Sequence, residues 1–175
     1  MTRIAARAST TRNSRHLAGR RAGRGCEDEL VSGGIRYSAD TGDLDRARVH
    51  EWISEHAYWA LGRPREVQDA AIDASWNYGA YDARTGEQLG YARIVTDGVT
   101  FAWLCDVIIA PSARGRGVGV GLVGYVVAQL EPLGLKRIVL ATGDAHTLYE
   151  RFGFEPLERP EQWMIRGRDT VEGAT

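Results

Sequence analysis

Pro111-Ser112-Ala113-Arg114-Gly115-Arg116-Gly117-Val118-Gly119 is the stretch on which the reading of this chain turns. An apolar run over 100–110 precedes it, and a second, glycine-rich apolar run continues to about Leu133. The first run has the length and β-branched content of a strand, the second the length of a helix, so the stretch is a strand-to-helix turn. Successive backbone N–H groups at a helix start form an anion site. Glycines there let a diphosphate approach the backbone without a Cβ in the way. Five glycines fall between Gly115 and Gly124. Each one inside a helix costs roughly 1 kcal/mol relative to alanine, so closeness must compensate. A ligand accounts for Gly115, Gly117 and Gly119, and helix-on-sheet packing for Gly121 and Gly124.

Working outward, the period of the sequence alternates between helix and strand. Ile35–Ser38 reads as a short strand. Asp43 or Asp45 can cap a helix running to about Tyr58, with Leu44, Val49, Trp52 and Ile53 near helical spacing. Gly62-Arg63-Pro64 breaks the chain, and a second helix follows over 65–75 with Val67, Ala70, Ala71 and Ala74 on one stripe. Trp76–Asp82 and 89–96 form an antiparallel hairpin across a polar turn containing Thr85-Gly86. Asp97-Gly98 then turns the chain into the strand over 100–110, completing a three-stranded meander. Beyond the glycine-rich helix, 137–141 is a buried strand, 145–152 a short helix and 162–166 a last strand. The order β-α-α-β-β-β-α-β-α-β describes an α/β domain with one sheet.

Three nucleotide-type readings compete for the glycine turn. A Walker loop requires G-x-x-x-x-G-K-[ST], and its Lys-Ser/Thr ending is absent. Gly119-Val120-Gly121-Leu122-Val123-Gly124 matches the dinucleotide pattern G-x-G-x-x-G, and Asp144 lies twenty residues beyond it. That fingerprint must start directly after its strand, whereas Gly119 is already within the helix. About fifty residues follow Gly124, too few for the rest of a doubly wound sheet.

The third reading is a resemblance. Arg114-x-x-Gly117-x-Gly119 resembles the [RQ]-x-x-G-x-[GA] motif of the GNAT superfamily of N-acetyltransferases, and Asp106-Val107-Ile108-Ile109-Ala110-Pro111 looks like the strand before it. Leu148-Tyr149-Glu150-Arg151-Phe152-Gly153-Phe154 is similar to the family's L-Y-x-x-x-G-F segment. The two motifs stand about thirty residues apart with a strand between them, and the likeness spans roughly 35–166. It implies a mixed, mainly antiparallel central sheet flanked by helices, with acetyl-CoA as cosubstrate and no metal. It also implies direct attack of an amine on the thioester in a ternary complex. One departure is Thr142, where relatives often carry asparagine; threonine can still cap the short helix.

The resemblance assigns donor-side roles. The amides of Arg116, Gly117, Val118, Gly119 and Val120 hold the pyrophosphate, beside Arg114 and Gly115. The backbone of Val107, Ile108 and Ile109 pairs with the pantetheine arm, and an amide near Ile109 polarises the thioester carbonyl. Tyr149 is the general acid toward the leaving thiolate, since a phenol with pKa about 10 stays protonated at neutral pH; alternatively it packs against Phe152 and Phe154. Trp103 stands where histone-acetylating relatives carry a glutamate, which leaves Asp106 as the candidate base. Asp106 could act directly or through water and could bind a cationic amine, or it could be satisfied by backbone amides or an arginine. His146 could shuttle protons but more simply serves structure. Tyr58, Trp59 and Trp103 are the candidate acceptor contacts, as aromatics beside a Gly-Pro break suit a binding wall. Arg63 could hold an acidic group of the acceptor.

The bulk numbers fit this frame. A chain of 175 residues with 43% apolar and 26% charged residues is long enough for one domain with a core. Residues 1–25 carry seven arginines and no acid, so the remainder holds 15 basic and 23 acidic residues. An acidic body suits a cationic partner such as an amine, or simply keeps the chain soluble, and disfavours nucleic acid. The expected division is a disordered basic tail over 1–33 (a leader or over-extended start), an acetyltransferase domain over 34–170 and a short tail over 171–175. Cys105 reads as a small buried hydrophobe, and Cys26 has no pairing or metal pattern. No apolar run reaches the roughly 18 residues of a membrane span. The expected setting is the cytoplasm, with a small amine or an amino group of a larger molecule as acceptor and a homodimer compatible with it. A CoA-binding regulatory module is the alternative function.

Overall fold

The computed structural model describes residues 29–166. The basic segment over 1–28, Cys26 and the tail over 171–175 lie outside the described residues. One sheet runs β1 (Glu29–Ser32), β2 (Ile35–Ser38), β3 (Trp76–Asp82), β4 (Gln88–Thr96), β5 (Phe101–Ile109) and β6 (Arg137–Val139), in that spatial order. The first five strands pair antiparallel, and β6 joins β5 in parallel. This is the mixed, mainly antiparallel sheet that the sequence predicts.

Two expectations fail at the ends. Residues 29–32, read as part of the tail, form β1 and pair with β2 through Leu30↔Tyr37 and Val31↔Arg36. The strand is exposed on both faces, so it lacks the apolar alternation that would have revealed it; backbone pairing holds it in place. The last strand expected over 162–166 is absent: a 3-10 turn at Pro160–Gln162 leads into irregular chain. The strand expected over 137–141 is regular only through Val139 and is half-buried rather than buried.

Helices cover both faces. α1 (Arg46–His56) starts where Asp45 accepts the Arg48 amide, and buries Val49, Trp52 and Ile53. α2 (Arg65–Asp73) follows Pro64 and buries Gln68 and Ile72. α3 (Val118–Leu130) is apolar nearly all round, and α4 (His146–Glu150) is one short turn. Strand alternation sorts the faces. Tyr78 and Tyr37 pack their rings on Tyr125 of α3. Asn77, the next residue and so on the opposite face, donates to the Ile72 carbonyl of α2 and accepts from the Tyr91 hydroxyl. α3 therefore covers one face and α1–α2 the other. No described helix is long and apolar enough to cross a membrane.

Two features of β5 position the site. Tyr91 pairs with Ile108 and Arg93 with Cys105, so Asp106 and Val107 together oppose the single residue Ala92, a β-bulge. Asp106 sits there at φ 51°, the one non-glycine residue at positive φ among those described. Further, β6 pairs with β5 only over Phe101, Ala102 and Trp103. β5 continues to Ile109, so its edge from Leu104 onward parts from β6 and the sheet opens as a wedge.

Candidate active site

The base of the wedge is the glycine turn. A 3-10 turn at Pro111–Ala113 leads to Arg114, and Gly115 and Gly117 take φ 74° and 78°. Both have open space where a Cβ would sit, so backbone conformation, not crowding, requires glycine there. Gly117 caps α3 without a side-chain hydrogen bond, and the helical ladder begins when the Gly121 amide donates to the Gly117 carbonyl. The amides of Val118, Gly119 and Val120 precede that ladder and remain as donors. A cleft of about 400 Å³ is lined here by Ile109, Arg114, Gly115, Gly117, Val118, Gly119 and Val120, with Leu148 from α4. Free amides, a helix start and a cleft of this size fit a diphosphate. Arg116 is exposed and does not line the cleft.

The two later glycines answer to packing, as expected. A Cβ on Gly121 would overlap the Tyr37 hydroxyl, and one on Gly124 would press on the Phe152 ring.

Above the turn, Val107, Ile108 and Ile109 supply the free edge of β5. The Ile108 side chain is buried in the core, while those of Val107 and Ile109 are half-buried. Their backbone faces a gap with no strand partner among the described residues, and an extended amide-bearing chain could pair with it as a strand would.

Tyr149 lies on α4, almost fully buried, with its ring edge-on to Phe154 at 5.9 Å. Burial, with Asp144 and Tyr58 nearby, pushes its phenol up to about 12, so it holds its proton at neutral pH. It also lines a groove of about 310 Å³ with Ile138, Leu140, His146, Phe154 and Leu157. His146 opens α4, whose N-cap is Ala145 with no side-chain cap; Thr142 accepts the Ala145 amide at 3.1 Å, which fastens the preceding turn and does not cap the helix as expected.

Asp106 is placed otherwise than a base requires. Its side chain is 3% exposed. Arg63 donates to Oδ2 at 2.8 Å and to Oδ1 at 3.2 Å. Arg93 donates to Oδ2 at 2.9 Å and the Trp59 indole to Oδ1 at 3.2 Å. Four donors fill the roughly four lone-pair sites of a carboxylate. Burial works against the charged form, but the Arg63 hydrogen bond and the Arg93 charge outweigh it and hold the carboxyl below its ordinary value. The arginine-held alternative is the one the structure adopts, and Asp106 is a poor proton acceptor. Beside it, burial pushes the Cys105 thiol up to about 11, so this half-buried cysteine is no nucleophile at neutral pH.

The loop between α1 and α2 spans the wedge. Trp59 reaches Asp106 on β5, and the Tyr58 hydroxyl accepts the Gly143 amide at 2.8 Å on the chain beyond β6. The two rings meet edge-on at 5.0 Å and are both exposed, forming a wall. Trp103 lies on the same face toward the start of β5, and no ring pairing links it to Tyr58 or Trp59. Sequence reading missed Arg93, although a charge between buried Ala92 and Ile94 was a legible signal. It also missed Gln68, whose Oε1 accepts from Arg63, and the Tyr58–Gly143 bridge, which nothing local foretells.

The sheet thus splays between β5 and the edge strand β6, with a glycine turn capping α3 at the base of the opening. The family model described as the acetyltransferase (GNAT) family matches residues 27–154, and the chain belongs to that family. A Xanthomonas campestris pv. campestris protein assigned to the GNAT family has a solved structure that is 38% identical, with TM-score 0.72 over 77% of this chain and 93% of that one. A Gibberella zeae protein named as an acetyltransferase is 30% identical over 113 residues, 55% of this chain and 64% of its own length. The chloroplastic serotonin N-acetyltransferase 2 of Oryza sativa subsp. japonica is 27% identical over 120 residues, 65% of this chain and 58% of its own length. The chain thus spans less than two thirds of these two curated relatives.

Proposed function

We propose that the protein transfers an acetyl group from acetyl-CoA to a primary amine by direct attack in a ternary complex. The observation that carries this is the wedge: a free β5 edge ends at Ile109 on the glycine turn, with Tyr149 on the adjoining helix. The turn amides take the pyrophosphate, and the β5 edge takes the pantetheine arm. The amine nitrogen bonds to the thioester carbon, an amide near Ile109 steadies the developing oxyanion, and the C–S bond breaks. The thiolate takes the Tyr149 proton. The acceptor ammonium gives up one proton to solvent before it attacks, because Asp106 has no free lone pair to receive it, and the second proton, shed by the nitrogen as the amide forms, restores the Tyr149 phenol. The buried Arg63–Asp106–Arg93 set instead fixes the loop that carries Tyr58 and Trp59 along one side of the wedge. Cytoplasmic placement and a homodimer are compatible with this reading and belong to it only as expectations.

The test combines calorimetry with thiol release. Acetyl-CoA should bind and NAD should not, and a panel of amines should include some that release CoA thiol above the hydrolysis background. Tyr149→Phe should lower kcat at least tenfold while leaving the acetyl-CoA Kd within about twofold, the pattern of a group that acts on the leaving thiolate alone. Tight acetyl-CoA binding without amine-dependent release would favour a CoA-binding regulatory module, and an unchanged rate in Tyr149→Phe would remove Tyr149 from the chemistry.

A further inference from the structure

The polar cluster on the α1–α2 face holds more donors and more positive charge than it uses. Asn77 is on that face, and Arg93 pairs with it in register, so Arg93 points the same way. Two guanidiniums, Arg63 and Arg93, share the single carboxylate of Asp106, and among the described residues no other acid forms an ion pair with either. The set carries a net positive charge. Gln68 adds a second imbalance. Its side chain is fully buried, its Oε1 is taken by Arg63, and its Nε2 has no partner. A buried donor left without an acceptor is unfavourable, and here it belongs to the same amide that touches Arg63, one of the two guanidiniums sharing Asp106.

The cluster borders the proposed acceptor side. Trp59 joins it directly, Tyr58 stands edge-on to Trp59, and Asp106 lies on β5 where that strand has parted from β6. An ammonium would find no open lone pair on Asp106 and would be repelled by the net charge. An anion would find spare N–H groups on both arginines in the planar geometry that suits bidentate recognition.

We infer that the acetyl acceptor carries an anionic group, a carboxylate or a phosphate, beside its amine, and that Arg63, supported by Gln68 and Arg93, receives that group. This rests on the transfer reading above. The anion seats against the Arg63–Gln68 side of the cluster, the body of the acceptor lies on Tyr58 and Trp59, and the amine is directed to the thioester in the wedge. Asp106 is then a positioning residue that keeps both guanidiniums in place.

The experiment uses the full chain, saturating acetyl-CoA and amines in matched pairs: tyrosine with tyramine, alanine with ethylamine, O-phosphoethanolamine with ethanolamine. Thiol release should give a kcat/KM at least tenfold higher for the anionic member of one pair. The pair that responds tells carboxylate from phosphate. Arg63→Gln should reduce that anionic-to-neutral ratio at least tenfold, and Gln68→Glu, which keeps the shape and cancels the excess charge, should do the same. Retained acetyl-CoA affinity shows that each variant is folded. Neutral members turned over as well as their anionic partners, or a ratio untouched by both substitutions, would overturn the inference. Should no amine release thiol while acetyl-CoA binds, the transfer reading fails by itself. Saturation-transfer NMR on the CoA-loaded chain then reads the anion site separately. A signal from tyrosine or O-phosphoethanolamine that exceeds its neutral partner's and weakens in Arg63→Gln supports the site. Equal signals within each pair overturn it.

Discussion

Asp106 shows how one residue's neighbours decide its role. It occupies a bulge at positive φ, a conformation that aspartate tolerates better than most residues, and from there it meets two arginines and an indole. Removing one member of a buried ion set typically costs about 3–5 kcal/mol, so Asp106→Asn should destabilise the fold by that order in urea denaturation. Because the folded carboxyl titrates below its ordinary value, its contribution is present above about pH 3.9 and is lost as pH falls through the folded value. Acid unfolding of the wild type should therefore steepen below about pH 4, and Asp106→Asn should flatten it. The same variant separates two roles: loss of a positioning residue raises the acceptor KM, whereas loss of a base would lower kcat and remove a carboxylate limb that the wild-type pH profile would show. The sequence identified Asp106 and Arg63 as polar residues of interest but could not assign their partnership. They stand 43 positions apart, and Arg93 joins from a third element.

At the scale of elements, α3 is placed by its glycines. Gly121 lets the helix settle on the Tyr37 hydroxyl from β2, and the sequence already assigned this glycine to packing. Gly121→Ala forces an overlap with a buried side chain and should cost about 1–3 kcal/mol, as overpacking commonly does. Adding Tyr37→Phe removes the overlapping oxygen and should recover part of the loss. Additive losses in the double mutant would show that the two side chains do not meet. The meander and α1 were legible because Val49, Trp52 and Ile53 repeat with helical period and Asp97-Gly98 marks the turn before β5; α2 lies where expected, but the stripe read there is not its buried face, since Val67, Ala70 and Ala74 are exposed and Gln68 and Ile72 face inward. β1 was not, because its burial does not alternate. The apolar residues at 163–165 suggested a strand, but Met164 and Ile165 are almost wholly exposed, with no neighbouring strand to pair them. Pattern alone could not tell a strand from an apolar segment left outside the sheet.

Across the whole molecule, the design is a sheet that holds together at one end and parts at the other. β5 and β6 pair over three residues, and the glycine turn, α4 and the α1–α2 loop gather around the opening. The sequence predicts the turn and the tyrosine in their order, and both could be located from motifs because each is a contiguous segment. The wedge itself is a property of pairing between distant segments, and the anion-seeking cluster on its α1–α2 face depends on four elements meeting. Hydrogen–deuterium exchange with and without acetyl-CoA tests the central claim most directly. The account predicts slowed exchange at the amides of residues 115–120 and 107–109, with little change in β1–β3. Binding without protection at those two segments, or protection confined to the groove beside β6, would contradict it.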